Sequence, residues 1–211
     1  LIKECSKSNL PLIISCGMSN SKEIDFVLKE TGLLRKKSVI LMLCVSQYPT
    51  PARDVNLSRL LSLKKKYPNL ILGFSDHTIG SIASTTAVAY GARCFEKHFT
   101  LNKSDKGPDH WFSVNPEEFK QLVENIRFTE KTMGRENILN TRKELENKNF
   151  MRRKIVAKVD LPIGSKINNF NISFKRSGTG LFIDDLSKIK GKILKVVKEK
   201  DESILLKDIK L

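Results

Sequence analysis

Short apolar runs alternate with amphipathic segments from Pro11 to Gly134, and the pattern changes character beyond that point. The runs are Leu12 to Ser15, Val39 to Cys44, Leu70 to Phe74 and Arg93 to Phe99. A loop and a helix-like segment follow each of them. Asn20 with Glu23 gives a capping-box-like start, Ile24, Val27 and Leu28 form a stripe, and Gly32 ends it. The second segment carries Leu57, Leu60, Leu61 and Tyr67 and closes at Pro68; the third, Ser81 to Tyr90, is rich in small residues and closes at Gly91. In the fourth, Asn115 caps, Pro116 takes the first position, Glu117 and Glu118 suit the dipole, and Phe119, Leu122, Val123 and Ile126 face inward. Four successive βα units with buried strands predict an α/β fold with a parallel sheet. No GxGxxG follows any of the strands, so a dinucleotide fold has no support.

Gly134 to Asn149 is polar and weakly patterned, as linkers are. Beyond it, Ile155 to Val159, Ile172 to Lys175 and Ile193 to Val197 read as short strands separated by Pro162, Gly164, Gly178, Gly180 and Gly191. The expected division is residues 1–134, a linker at 135–150, and a small β-rich module at 151–211.

Composition narrows the function classes. The chain of 211 residues is 40% hydrophobic and 29% charged, the balance of a folded chain rather than a disordered one. No apolar run nears the roughly 20 residues needed to span a bilayer, and no signal peptide is visible. The absent initiator Met and the helix-like opening suggest a fragment. Cys5, Cys16, Cys44 and Cys94 include no CxxC pair, so reduced thiols and a cytoplasmic location are expected. The formal charge of +15 is spread along the chain, with 19 basic and 13 acidic residues in 1–134 against 19 and 10 in 135–211. It is mostly Lys, without the interleaved aromatics of a base-stacking surface, so neither nucleic acid nor membrane is an expected partner. A field that draws in anionic substrates is compatible with it.

Candidate chemistry clusters where the third and fourth strands end. Side chains alternate across a strand, so Ser75 and His77 share a face in Gly73-Phe-Ser-Asp-His-Thr78, as Glu96 and His98 do in Phe95-Glu-Lys-His-Phe99. Adjacent parallel strands then present two imidazoles and a carboxylate to one pocket, a set suited to manganese or zinc. Lys97, a Schiff-base alternative, lies on the opposite face. In the loop Gly107-Pro-Asp-His-Trp111, Asp109 could bond sugar hydroxyls and Trp111 could stack on a ring; a turn built by Gly-Pro-Asp accounts for the same residues.

Together these residues bear a resemblance. Ile14-Ser-Cys-Gly-Met18, Cys44-Val-Ser-Gln-Tyr-Pro-Thr-Pro51, Gly73-Phe-Ser-Asp-His-Thr78, Glu96-Lys-His-Phe-Thr100, Gly107-Pro-Asp109 and Lys175-Arg-Ser-Gly-Thr-Gly180 look like the ordered motifs of the sialic acid synthases, the N-acetylneuraminate, legionaminate and pseudaminate synthases among them. The resemblance implies the C-terminal half of a (β/α)8 TIM barrel, strands five to eight, followed by an antifreeze-like SAF domain. It implies condensation of phosphoenolpyruvate with an acylamino sugar such as N-acetylmannosamine, and a divalent metal, Mn2+ foremost, with Mg2+ or Co2+ as alternatives. His77 and His98 match the metal ligands, Ser15 and Ser75 match residues around phosphoenolpyruvate, and Tyr48 and Asp109 match residues near the sugar. Glu96 is positioned to act in proton transfer or to order a metal-bound water. Arg176 matches an arginine that reaches the neighbouring protomer's site in a homodimer. The missing barrel half would supply a further Glu near the metal and the phosphate-binding Lys residues, so the fragment alone is expected to be inactive. Three positions depart from the motifs: Cys16 stands for Thr, which would remove a hydroxyl beside the phosphate, Ser46 for Asn, and Ser177 for Pro. A sibling synthase with another sugar, a non-catalytic fragment, and a carbohydrate- or ice-binding module in residues 151–211 are the competing expectations.

Overall fold

Hydrogen bonding between consecutive extended segments builds the first half of the chain. A computed structural model describes residues 1–35 and 38–210. After a short helix α1 (Ile2–Ser6) come β1 (Leu12–Ser15), α2 (Ser21–Glu30), β2 (Val39–Cys44), α3 (Ala52–Val55), α4 (Arg59–Lys66), β3 (Ile71–Asp76), α5 (Ile82–Ala89), β4 (Cys94–Lys97) and α6 (Pro116–Met133). The four strands are parallel in the order β1-β2-β3-β4. The predicted βα repeat is therefore present, and a sheet built from strands in chain order with helices between them has half-barrel topology.

Alternation sorts this sheet into two faces. Leu41, Leu43, Leu72 and Phe74 turn to one side, where they pack with Ile24, Leu28, Leu60 and Ala87 from the helices. Met42, Gly73, Ser75 and Glu96 turn to the other. Gly73 is required there: a Cβ would lie 2.9 Å from the Cys94 carbonyl oxygen and 2.9 Å from the Met42 side chain. Helices α2 and α6 begin with complete capping boxes at Asn20/Glu23 and Asn115/Glu118, as their sequences predict.

The chain divides into compact units at Leu1–Arg135 and Glu136–Leu211. The second unit contains α7 (Arg142–Met151), β5 (Arg153–Ala157), β6 (Ile172–Arg176), α8 (Leu186–Ile189), β7 (Ile193–Leu194) and β8 (Ile209–Lys210). β5 pairs with β6 and β7 with β8, both antiparallel. Ile155, Ile167, Ile172, Leu194 and Ile204 form its core. Helix α7 lies across most of the stretch expected as a linker. It buries no residue, so it lacks the apolar stripe by which a helix is recognised, yet Thr141 and Glu144 form a full capping box.

Candidate functional site

β3 and β4 end level with one another, and each delivers a histidine one residue past its end. Ser75 and Glu96 are register partners, as are Asp76 and Lys97. The Ser75 hydroxyl donates to Glu96 Oε1 at 2.6 Å, and Ser75 Oγ lies 3.3 Å from His77 Nε2. His77 Nδ1 lies 2.8 Å from the Val45 carbonyl, which can only accept. Nδ1 therefore carries the proton, and in the neutral ring Nε2 presents a lone pair toward Ser75. The Ser75 proton is committed to Glu96, so two acceptors face each other there.

The loops after β2 and β4 close around these groups. Tyr48 stacks on His77 with ring centroids 4.2 Å apart and meets His98 edge-on at 5.5 Å. His77 and His98 are 5.2 Å apart by centroid and nearly perpendicular. Thr50 N donates to the His77 carbonyl at 2.9 Å, which fixes the Tyr48 loop to the end of β3. Asp109 Oδ2 lies 3.6 Å from His98 Nδ1, and the Phe112 ring packs on His98 at 5.0 Å. Burial, and after it the neighbouring His77, push the His98 imidazolium down from the ordinary histidine range; Asp109 opposes them. The His98 ring is thus suited to the neutral state that binds a cation.

On the opposite face, Lys97 and Asp76 form a buried ion pair at 3.1 Å. Burial pushes the Lys97 ammonium down, and the Asp76 carboxylate holds it back up. Lys97 thus has a committed partner on the side away from the imidazoles, which leaves no part for it as a Schiff-base lysine.

Six of the predicted residues, Tyr48, Ser75, His77, Glu96, His98 and Asp109, form one contiguous group. Ser15 is exposed on the same sheet face, at the level of Met42 and Gly73 in the strand register. Arg176 is exposed at the end of β6 in the second unit. Three contributors escaped the sequence reading: the Val45 carbonyl, Thr50 and Phe112. Only Phe112 left a signal, being the apolar residue after the Trp111 that drew attention; Trp111 itself is 57% exposed and touches Phe112 edge-on. His110 has a structural task. Its Nδ1 lies 2.7 Å from Thr100 Oγ1, and its ring occupies the space a Cβ on Gly107 would need. Cys16 also differs from expectation. Its side chain is buried in the core between sheet and helices, with Sγ 3.1 Å from the Met42 carbonyl, so the Thr-to-Cys departure alters the core and not the polar face.

As a divalent-cation site, the donor set is partial. Among the described residues no three His, Cys, Asp or Glu side chains converge on one point. His77 Nε2 and the His98 ring fit as two nitrogen ligands, with carboxylate and water left to complete the sphere.

Comparison with known proteins gives a consistent picture. Residues 1–138 match the NeuB family model and residues 152–210 match the SAF domain model. The chain is 41% identical over 209 residues to an uncharacterized protein of Methanocaldococcus jannaschii, covering 99% of this chain and 62% of that one. It is 38% identical over 194 residues to the N,N'-diacetyllegionaminic acid synthase of Legionella pneumophila, covering 90% and 54%. Among solved structures, the N-acetylneuraminic acid synthetase of Leptospira borgpetersenii in complex with citrate superposes with a TM-score of 0.63 at 34% identity, over 72% of this chain and 54% of that one. The chain thus spans little more than half the length of these relatives.

Proposed function

This chain belongs to the NeuB family, with a SAF domain following, and from that premise we propose that it is part of a metal-dependent synthase joining phosphoenolpyruvate to an acylamino sugar aldehyde. The observation that carries the reading is the pair of imidazoles at the ends of β3 and β4, 5.2 Å apart, with Tyr48, Glu96 and Asp109 around them. The product is a nonulosonic acid, and inorganic phosphate is released. N-acetylmannosamine is the first substrate to test, and the Legionella relative's name makes a diacetylated hexose the second.

C3 of phosphoenolpyruvate attacks the aldehyde carbon and forms the C–C bond. Water adds at C2 and loses a proton, and phosphate leaves with its bridging oxygen as the C2–O bond breaks. A divalent cation held by His77 and His98 would polarise the aldehyde oxygen as a Lewis acid. Mn2+ is the proposed ion, with Mg2+ or Co2+ as substitutes. Glu96 takes the water proton: Ser75 holds Oε1, and Oε2 has no hydrogen-bond partner among the described residues. Tyr48 and Asp109 orient the sugar, Ser15 and Ser75 line the phosphoenolpyruvate side, and Arg176 recognises the acyl group from the partner protomer of a homodimer. The full (β/α)8 barrel belongs to the same proposal, and the 211 residues alone are read as inactive because, among the described residues, β1 and β4 each leave one edge of the sheet unpaired.

Isotope transfer tests the chemistry. With 18O in the bridging oxygen of phosphoenolpyruvate, the full-length protein should release phosphate that carries the label. Labelled enol oxygen retained in the product, or no phosphate release with either sugar, would sink the proposal.

A further inference from the structure

Each of the two imidazoles follows directly on a member of one buried ion pair. Asp76 precedes His77 and Lys97 precedes His98. Asp76 and Lys97 are register partners whose side chains are 0% and 2% exposed, with Nζ 3.1 Å from Oδ2. The pair also holds the backbone beyond His77. Thr78 N donates to Asp76 Oδ1 at 2.8 Å, and Lys97 Nζ donates to the Thr78 carbonyl. Ser84 of α5 donates to Asp76 Oδ2 at 2.6 Å. Both residues flanking His77 are therefore tied down on the helix side of the sheet, while the ring projects from the other. His98 is held by Lys97 before it and by its own carbonyl, which accepts from Val114 N at 2.9 Å.

Stability does not explain why this pair is charged. The neighbouring positions on the same face are Leu72, Phe74 and Phe95, and a buried ion pair contributes no more to stability than a well-packed apolar pair of similar volume. Directional bonds to both the amide and the carbonyl of Thr78 are what the charges add. We infer that Asp76 and Lys97 are positioning residues that set the separation and aim of His77 and His98. This rests on the proposed metal site, and it assigns the pair a role in the reaction without contact to substrate.

The test is the double variant D76L/K97M in the full-length protein, since either single change strands a buried charge. The variant should melt near the wild-type temperature, while Mn2+ affinity, measured by electron paramagnetic resonance titration, falls about 10- to 100-fold, as for loss of residues supporting metal ligands. Its crystal structure should show the ring centroids moved from 5.2 Å. Unchanged ring separation with Mn2+ affinity within about twofold of wild type would overturn the inference. If wild type itself takes up no Mn2+, the functional reading fails, and the ring separation in the variant still decides the positioning role. Should D76L/K97M not fold, D76N/K97M carries the test, because Asn keeps an acceptor for the Thr78 amide while the tie between strands is gone.

Discussion

His77 and His98 hold their protons differently, and the difference is testable. His77 has its Nδ1 proton fixed by the Val45 carbonyl, whereas His98 is pushed toward neutrality by burial and by His77 itself. In the metal-free protein the His98 ring should titrate with a midpoint below about 6.5, the ordinary value. Between that value and the folded midpoint, the unfolded chain binds a proton that the folded chain refuses. His98 therefore lowers stability as pH falls through this window and contributes nothing above about 6.5. Ring resonances followed by NMR give the midpoint, and one above 6.5 would remove the burial argument. At this scale, alternation made the site legible: it put Ser75 with His77, Glu96 with His98 and Lys97 opposite them. Applied to Ser15, the same rule turns Cys16 into the core, which the motif comparison alone did not see. The Val45 carbonyl left no trace in the sequence because any residue has one; its role depends on where the β2 loop passes.

Elements were legible in proportion to how much apolar surface they bury. β1 and β2 occupy their predicted residues, and β3 runs two residues past its expected end at Phe74, to Asp76. The extension follows from pairing of Ser75 and Asp76 with β4, which apolar content does not reveal. Helix α7 buries nothing, so the only sign of it in the linker sequence is the Thr141-x-x-Glu144 cap. In the second unit, two-residue strands such as β8 are too short to carry a period. That unit contains a buried charge group. Lys198 Nζ lies 2.9 Å from Asp208 and 2.7 Å from Glu202, with the Lys198 and Asp208 side chains each 6% exposed. Burial alone would lower the Lys198 ammonium, but the two carboxylates outweigh it and raise it. Replacing Lys198 with Met strands Asp208 and should cost about 3–5 kcal/mol in denaturant unfolding. A loss below about 1 kcal/mol would mean that water reaches the pair. Because the pKa is raised, the wild-type contribution is present below the unfolded lysine value of about 10.4 and is lost as pH climbs through the folded one.

At the scale of the whole molecule, the chain spans 62% and 54% of the two relatives described above. Arg176 is exposed in the second unit, and the proposed function assigns it to the acyl group of the sugar. Its turn differs from the motif at Ser177, and the Ser177 hydroxyl lies 2.7 Å from Ser203 Oγ, a tie that proline would not offer. Losing one charged hydrogen bond to the acyl carbonyl costs roughly 1.5–3 kcal/mol. Arg176→Ala should therefore lower kcat/KM for the acylamino sugar about ten- to a hundred-fold, and a sugar lacking the acyl group should be little affected. Equal losses on both would assign Arg176 to assembly. The central claim is that His77 and His98 hold a divalent cation required for condensation. It is tested most directly by stripping the full-length protein with chelator and titrating Mn2+ into wild type, His77→Ala and His98→Ala while following phosphate release. Turnover should return in wild type only, with Mn2+ affinity at least about 10-fold weaker in each variant. Undiminished Mn2+-dependent turnover in both variants would contradict the account.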